Sequence, residues 1–260
     1  MSLPHAGESR RFVEITIEQR VARVQLNRPE RLNAISPDVA SQLLAALDNA
    51  HQSGAKLIVL GGEGRAFSSG HDLKEPDHPA GSPESDRHLE TLQNITRRLM
   101  APEVVSIAAV HGYALGAGAE IALACDIVVA DTTAKIAFPE VSAGLSMTGG
   151  GSYLLPRIVG LARAKKLMLL GETLDAHTAQ QWGIVADIAA EGELNLLVDK
   201  HVEVLMAMPE QGLLLAKKSL LASMGASLED TLVSEIHNAK HTLDSDELRE
   251  ARNSHWTAKR

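Results

Sequence analysis

Three short, continuous apolar runs constrain the fold of this chain more than any other feature of its sequence. They span residues 57–60, 104–110 and 127–130, and the first ends in Gly61-Gly62. A continuous run of this length, bounded by turn residues, is typical of a strand that is buried on both faces. Such strands occur in mostly parallel sheets, whose crossover connections usually carry helices. The runs therefore predict an α/β fold with a helix-covered sheet.

The segments around these runs follow the same pattern. Apolar and polar residues alternate over 13–17 and again over 22–26, which predicts a β-hairpin. Ser36 and Pro37 provide a cap and a first-turn proline for a helix. From residue 162 onward the spacing of apolar residues is helical almost throughout. We expect a flexible N-terminus over 1–11, a core domain over 12–200 and a helical C-terminal region over 201–260.

The C-terminal region carries a helix-start signal and an apolar stripe. Ser227 and Asp230 have the spacing of a capping box. The helix that they would start has an apolar stripe formed by Leu228, Leu232, Ile236, Ala239 and Leu243. Such a stripe is more often part of the core than a binding face, although in an oligomer it could pack on a neighbouring copy.

Composition excludes several classes of protein. The chain has 260 residues, of which 45% are apolar and 22% charged, and this is the make-up of a globular domain. Its net charge of −8 and its few aromatic residues argue against nucleic-acid binding. No apolar stretch is long enough to span a membrane, and the polar start lacks a signal core. With one cysteine, Cys125, we expect a cytoplasmic protein without disulfides or membrane partners.

Two glycine-rich segments are the candidates for chemistry. Residues 67–74 and 111–120 each follow an apolar run, and both would leave backbone N–H groups pointing outward. Such groups can receive an anionic oxygen. Glu120 falls in the first turn of the helix that the second segment begins, where the helix dipole favours a carboxylate. Neither segment matches the phosphate-loop or dinucleotide fingerprint, so the sequence disfavours nucleotide-triphosphate and nicotinamide enzymes.

The order and spacing of these motifs resemble the crotonase, or enoyl-CoA hydratase/isomerase, superfamily. The resemblance extends from about residue 12 to 218. It rests on Asn27-Arg28-Pro29, Asn33-Ala34, residues 67–74, 111–126 and 138–144, Leu155-Pro156-Arg157, Gly160, Leu170-Gly171-Glu172 and Gly183-Ile184-Val185. It implies a superhelix of repeated β-β-α units with a helical C-terminal region that mediates trimers or dimers of trimers.

The resemblance also implies an acyl-CoA thioester site. The two backbone N–H groups that bind the thioester oxygen in this family map onto His71 and Ala117. Hydratases of the family have two glutamates, and both positions are occupied here, by Glu120 and Glu140. Glu120 would activate a water molecule and Glu140 would protonate C2, which turns a 2-enoyl-CoA into a 3-hydroxyacyl-CoA. Coenzyme A would enter as part of the substrate, with no metal or redox cofactor.

The remaining site candidates contact the substrate in the same resemblance. They are Ser69, Gly70, Asp72, Leu73, Lys74, Arg31, Gly116 and Thr148. Lys74 and Arg31 are the candidate cations for coenzyme A. Residues 74–86 are rich in proline and polar residues, so we expect an exposed loop that shapes the acyl pocket.

Two departures from the family pattern leave alternatives open. Met147-Thr148 stands where relatives usually have a proline-glycine pair, and Ala251 and His255 replace the usual glycine and phenylalanine of the last helix. Another reaction of the superfamily, such as isomerisation, decarboxylation or thioester hydrolysis, is the first alternative. A non-catalytic acyl-CoA-binding protein is the second.

A metal hydrolase is the least favoured alternative. His237 and His241 lie four residues apart, and Asp72, Asp77 and His78 are close in sequence. The zincin pattern H-E-x-x-H is absent from the sequence, however, so solvated histidines are the simpler interpretation.

Overall fold

A computed structural model describes residues 10–75, 79–243, 245–246 and 248–249. The strands are β1 (Val13–Glu18), β2 (Val21–Leu26), β3 (Leu57–Gly62), β4 (Ala66–Ser68), β5 (Val105–Val110), β6 (Tyr113–Leu115), β7 (Ile127–Asp131), β8 (Lys135–Ala137), β9 (Thr173–Asp175) and β10 (Asp187–Ala189). The helices are α1 (Pro37–Gln52), α2 (Pro83–Leu99), α3 (Ala117–Ala124), α4 (Gly151–Val159), α5 (Leu161–Leu170), α6 (Ala176–Gln181), α7 (Leu194–Ala207), α8 (Glu210–Ser223) and α9 (Leu228–Leu243). Short 3-10 turns occur at Pro29–Arg31 and Glu140–Ala143.

The described strands form two sheets. The larger has the order β1-β2-β3-β5-β7-β10, and every neighbouring pair in it is parallel except the β1–β2 hairpin. The smaller has the order β4-β6-β8-β9. The three continuous apolar runs are the central strands β3, β5 and β7, and the hairpin pairs Val13 with Leu26, as the alternation predicted.

The chain passes repeatedly from the larger sheet to the smaller one. β3 leads to β4, β5 to β6, and β7 to β8, and a helix or 3-10 turn follows each of these pairs. This arrangement confirms the expected β-β-α repeat. Because β4, β6 and β8 are neighbours in one sheet, the segments that follow them also lie side by side.

The central strands of the larger sheet, β3, β5 and β7, are buried on both faces, which explains the continuous apolar runs. One face packs on helices α1 to α4, where Leu43, Leu60 and Ile95 are inaccessible to solvent. The other face, with Val59 and Ile107, packs on α7. The boundary that we predicted at residue 200 therefore lies within a helix that covers the core sheet.

Helix α2 shortens the loop that we predicted over residues 74–86, because residues 83–86 are helical. The helix begins at Pro83, and the Ser82 hydroxyl accepts a hydrogen bond from the Ser85 N–H. Proline in the first helical turn needs no partner for its missing N–H, so it starts this helix where the sequence suggested a break. The apolar face of α2, with Leu92, Ile95 and Leu99, fixes the helix against the core.

The C-terminal helices are only partly covered by the described chain. Ser227 caps the helix as predicted, since its hydroxyl accepts a hydrogen bond from the Asp230 N–H, but the Asp230 carboxylate accepts from this hydroxyl and not from the Ser227 N–H of a full capping box. The interpretation of the α9 stripe as core is wrong, because all of its residues are exposed, including Leu228 at 72% and Ile236 at 60%. The apolar spacing indicates that one face of α9 is suited to burial, but it does not show whether this chain or another buries it.

Among the described residues, no helix combines the length and apolar character required to cross a membrane.

A buried lysine fastens α8 to the core. Lys217 Nζ donates to Asp126 Oδ2 at 2.7 Å and to the carbonyl oxygens of Val104 at 2.7 Å and Leu99 at 3.0 Å. The carboxylate of Asp126 also accepts hydrogen bonds from the N–H and hydroxyl of Ser106. A buried ammonium is stable only when its donors are matched in this way.

We predict that Lys217→Met destabilises the protein by about 1–3 kcal/mol, because it removes the cation beside the partly exposed Asp126 carboxylate and the donor to the buried Val104 carbonyl oxygen. Urea unfolding followed by circular dichroism would measure the loss. Lys218→Met, at an exposed neighbouring position, is the matched control and should change stability by less than about 0.5 kcal/mol. Equal stability of the two variants would contradict the role of Lys217.

Candidate active site

A cavity of about 140 Å³ lies between α2, the turn after β4, the start of α3 and the segment after β8. Eight of the predicted site residues line it, namely Ser69, His71, Leu73, Gly116, Ala117, Glu120, Glu140 and Thr148. The structure therefore brings together segments that are far apart in sequence. The side walls are mainly apolar, and the two glutamates are the acidic residues in its lining.

Close backbone contact joins the two glycine-rich turns. Gly70 has φ +84°, and a Cβ there would lie 2.4 Å from the carbonyl oxygen of Leu115 and 3.4 Å from the amide nitrogen of Ala117. A Cβ on Gly118 would lie 2.7 Å from Cβ of Ser68. Only glycine permits this approach. It places His71 and Ala117 at the same end of the cavity.

Ala117 is the first residue of α3. The N–H groups of a first helical turn have no acceptor within their own helix, so they are available to an oxygen from outside it. Gly116, the residue before the helix, has φ +51° and forms the turn that directs the chain from β6 into α3. The position fits the oxyanion role that we predicted for the Ala117 N–H, and the role itself stays a prediction.

Glu120 is held by the backbone of a glycine loop. Its side chain is only 2% exposed, and its carboxylate accepts hydrogen bonds from the N–H of Gly149 at 3.0 Å and of Gly151 at 2.8 Å. The N–H of Thr148 is 3.4 Å from Oε2. Three backbone donors thus fix the orientation of this carboxylate toward residues 148–151.

The glycines of this loop are required by the carboxylate that they surround. A Cβ on Gly151 would lie 2.9 Å from Oε1 of Glu120, and one on Gly149 would lie 3.2 Å from Oε2. The sequence shows three consecutive glycines at 149–151, but their purpose did not follow from the sequence alone. Their contact with Glu120 depends on bringing together α3 and the start of α4.

Glu140 has the opposite environment. It is 8% exposed, and neither of its carboxylate oxygens has a hydrogen-bond partner among the described residues. Burial, with a smaller contribution from the charge of Glu120, raises the pKa of Glu140 to about 7. Two carboxyl groups in one cavity therefore differ in what surrounds them, which is the usual basis for giving an acid and a base separate tasks.

Comparison with known proteins places this site in a family. The sequence profile described as enoyl-CoA hydratase/isomerase matches residues 16–259. The chain belongs to the enoyl-CoA hydratase/isomerase family. It is 38% identical over 180 residues to the 2,3-dehydroadipyl-CoA hydratase of Escherichia coli K12, which covers 67% of this chain and 68% of the relative. It is 34% identical over 227 residues to the 1,2-epoxyphenylacetyl-CoA isomerase of the same organism, covering 85% and 86%.

Solved structures confirm the crotonase fold. A Thermobifida fusca chain named for enoyl-CoA hydratase, solved in complex with acetoacetyl-CoA, superposes with a TM-score of 0.83. The two are 31% identical, and the match covers 89% of this chain and 94% of the other. The chain is therefore a crotonase-superfamily enzyme, and the expected superhelix with a helical C-terminal region is correct. Both hydratases and isomerases are among its relatives.

Asp72, one of the predicted substrate contacts, does not line the cavity, and its contact with a substrate stays a prediction. Its buried carboxylate accepts a hydrogen bond from Arg28 at 2.6 Å and another from the Lys74 N–H at 3.1 Å, so it does not line the cavity. Burial opposes the charge of Asp72, but the Lys74 N–H and Arg28 together lower its pKa below the usual value. The structure assigns it to holding the turn that carries His71.

Arg28 is a residue of this arrangement that the sequence did not single out. It is 7% exposed, it donates to Asp72 and to Glu75, and it lies 5.3 Å from the centre of the Phe12 ring. Arg28 lies in the Asn27-Arg28-Pro29 motif, but the local sequence does not distinguish a buried, paired arginine from an exposed one. Its two carboxylate partners are more than forty residues away, so only the fold reveals the pairing.

The two candidate cations lie outside the cavity wall. The side chains of Arg31 and Lys74 are exposed, and Gly70 is buried behind the turn. Leu73, 68% exposed, connects the cavity to the surface beside Lys74. The contacts that we predicted between these cations and coenzyme A stay predictions.

Helix α2 supplies a wall of the cavity that the sequence analysis did not single out. His88, Leu89 and Leu92 line the cavity, and the ring of His88 lies 5.8 Å from that of His71, centre to centre.

The metal alternative gains no support, since the described residues contain no group of three or more His, Cys, Asp or Glu that could hold a metal ion. Asp77 and His78 lie outside the described residues.

We predict that Glu140→Gln changes the pH dependence of stability. Because the folded-state pKa of Glu140 is raised from 4.5 to about 7, its protonated form is favoured by folding, and the wild type loses stability as pH rises between these values. Because the cavity that Glu140 lines opens to solvent, screening limits the loss of stability to about 1–2 kcal/mol. Glutamine does not titrate, so the variant should be the more stable protein at pH 8 and similar to wild type at pH 5.

Urea unfolding at pH 5 and pH 8 would check this expectation. Glu63→Gln, an exposed glutamate outside the cavity, is the control and should follow the wild type. Parallel stability curves for all three proteins would show that Glu140 is not buried as described.

Proposed function

We propose that this enzyme is an enoyl-CoA hydratase that adds water across the C2=C3 bond of a 2-enoyl-CoA to give a 3-hydroxyacyl-CoA. The observation that carries the proposal is the pair of buried glutamates in one cavity, one held by three backbone N–H groups and the other without a partner among the described residues. Hydration needs one group to take a proton from water and another to deliver a proton to carbon.

The thioester carbonyl is bound by the backbone. The N–H groups of His71 and Ala117 donate to its oxygen, and they stabilise the negative charge that develops there as water attacks C3. Support comes from the glycine contact that places both residues at one end of the cavity. The acyl chain lies among the apolar residues of the wall, and the coenzyme A portion extends past Leu73 toward Lys74 and Arg31.

Glu120 is the base in this proposal. It takes a proton from the water whose oxygen forms the bond to C3, while the backbone N–H groups of residues 148–151 keep its carboxylate in position. The N–H of Thr148, the longest of these contacts at 3.4 Å, is the one most easily shared with the water.

Glu140 is the acid. It delivers its proton to C2 as the π electrons of the double bond form the new C–H bond, and exchange with solvent then restores the starting protonation of both glutamates. A pKa of about 7 leaves much of Glu140 protonated at neutral pH, as an acid requires. The reaction uses only these groups, so we propose that no metal or redox cofactor takes part.

Crotonyl-CoA hydration, followed by loss of the enoyl-thioester absorbance, tests the proposal. We expect the wild type to turn over, and Glu120→Gln and Glu140→Gln each to lose about 100-fold or more in kcat. Glu63→Gln is the control. Full activity in both cavity variants would refute the mechanism, and no turnover on any 2-enoyl-CoA tested from four to ten carbons would refute the function.

The pH dependence of the same assay tests the assignment of Glu140 as the acid. Only protonated Glu140 can donate, so kcat/KM for hydration should fall by about tenfold for each pH unit above about 7. A profile that is flat from pH 6 to 9 would contradict the role of Glu140 as the acid.

A different crotonase-family reaction on an acyl-CoA is the second candidate. Two observations favour it, namely Met147-Thr148 beside the base and the 34% identity to an epoxyacyl-CoA isomerase. Isomerisation, decarboxylation or thioester hydrolysis leaves a product of different mass or free thiol content from hydration. Mass spectrometry of the products therefore separates them, and binding without any product would identify a non-catalytic acyl-CoA-binding protein.

We also propose that the protein assembles as a trimer or a dimer of trimers through its C-terminal region. Support comes from the α9 stripe, whose leucine and isoleucine side chains are exposed in the described chain. Light scattering should give three or six times the chain mass of 27.8 kDa. The double variant Leu232→Lys/Ile236→Lys should dissociate the assembly, whereas Glu235→Lys on the same helix should not. A monomeric wild type would refute the proposal.

A further inference from the structure

One side chain of helix α2, that of Thr96, contacts the glycine loop that holds Glu120. The hydroxyl of Thr96 donates to the carbonyl oxygen of Gly149 at 2.6 Å. Gly149 is also the residue whose N–H donates to both carboxylate oxygens of Glu120. One glycine therefore links Thr96 on one side to Glu120 on the other.

The glycine loop depends on such outside contacts for its shape. Residues 149–151 are all glycine, and Gly150 has φ +94°, so the chain itself restricts these peptides little. On its C-terminal side the loop is held by α4, whose Tyr153 and Leu154 N–H groups donate to the Gly150 carbonyl. On the α2 side it is held by Thr96, whose methyl carbon also lies 3.5 Å from where a Cβ on Gly150 would be.

We propose that Thr96 is a positioning residue for Glu120, acting through the peptide of Gly149. Gly149 is buried, so without the Thr96 hydroxyl its carbonyl would lose its donor and the peptide would turn to find another. This peptide joins Gly149 to Gly150, so its rotation changes the backbone angles of both residues and displaces the flanking N–H groups of Gly149 and Gly151 that bind Glu120. The carboxylate would then lose its alignment with the water that attacks C3, while the binding of the thioester and acyl chain would be unaffected.

The proposal rests on the hydratase function, in which Glu120 is the base. It predicts an effect on kcat and not on KM, because Thr96 itself is absent from the cavity wall. Small displacements of a base are costly, since proton transfer needs hydrogen-bond distance to the water. We expect Thr96→Val, which keeps the shape and removes the hydroxyl, to lose at least tenfold in kcat for crotonyl-CoA with KM changed by less than about threefold.

Two further variants separate the hydroxyl from packing. Thr96→Ser keeps the hydroxyl and loses the methyl group, so its kcat should stay within about threefold of wild type. Thr91→Val is the matched control on the same helix, because the Thr91 hydroxyl bonds to the carbonyl of Arg87 within α2 and not to the loop. Its kcat and KM should equal those of wild type. Should Thr96→Val not fold, Thr96→Ala removes the same hydroxyl and takes its place.

Comparison with Glu120→Gln distinguishes a wrong role for Thr96 from a wrong assignment of Glu120 as the base. If Thr96 acts through Glu120, the double variant Thr96→Val/Glu120→Gln should be no slower than Glu120→Gln alone, whereas independent effects would multiply. Wild-type kcat in Thr96→Val, equal losses in the valine and serine variants, or multiplied losses in the double variant would each overturn the proposal for Thr96 alone. Full activity in Glu120→Gln would overturn the proposed base, and the role of Thr96 with it.

Discussion

The contact between two glycine turns is the constraint on which the site depends. Gly70 fits against the Leu115 carbonyl, and Gly118 fits against Ser68, at distances that leave no room for a Cβ. The contact is possible because β4 and β6 are neighbours in the smaller sheet, so the segments that follow them lie side by side. Any other residue at these two positions would separate His71 from Ala117, and the cavity would lose the end at which a thioester oxygen can be bound.

The two glutamates show how one cavity can give similar side chains different environments. Glu120 lies in the first turn of α3 and is surrounded by backbone donors, whereas Glu140 comes from a 3-10 turn and faces apolar walls. The difference comes from the backbone around each residue, since the side chains are identical. The backbone segments around the two glutamates therefore set which one acts as base and which as acid. These segments must keep their positions for the two roles to stay distinct.

Two ion pairs, each with a buried cation, connect elements of the fold. Arg28 fastens the turn that carries His71 by pairing with Asp72, and Lys217 fastens α8 by pairing with Asp126. Each charge is matched by several hydrogen bonds, which is the condition under which a buried pair is tolerated. Both pairs connect segments that are distant in sequence, and the Arg28–Asp72 pair holds the turn beside the cavity.

The sequence by itself determined the sheet, the glycine turns and the candidate acids. The continuous runs in β3, β5 and β7 and the alternation in β1 and β2 reflect burial of one or two strand faces, which is a local property of the chain. The start of α2 was missed, because prolines and polar residues mark a loop and a helix start equally well. Only the tertiary structure decided that Asp72 pairs with Arg28, that glycines 149–151 surround Glu120, and that the α9 stripe is exposed. The physical reason is that these outcomes depend on contacts between residues far apart in the chain and on which neighbour covers an apolar face. The local spacing of residues specifies neither of these.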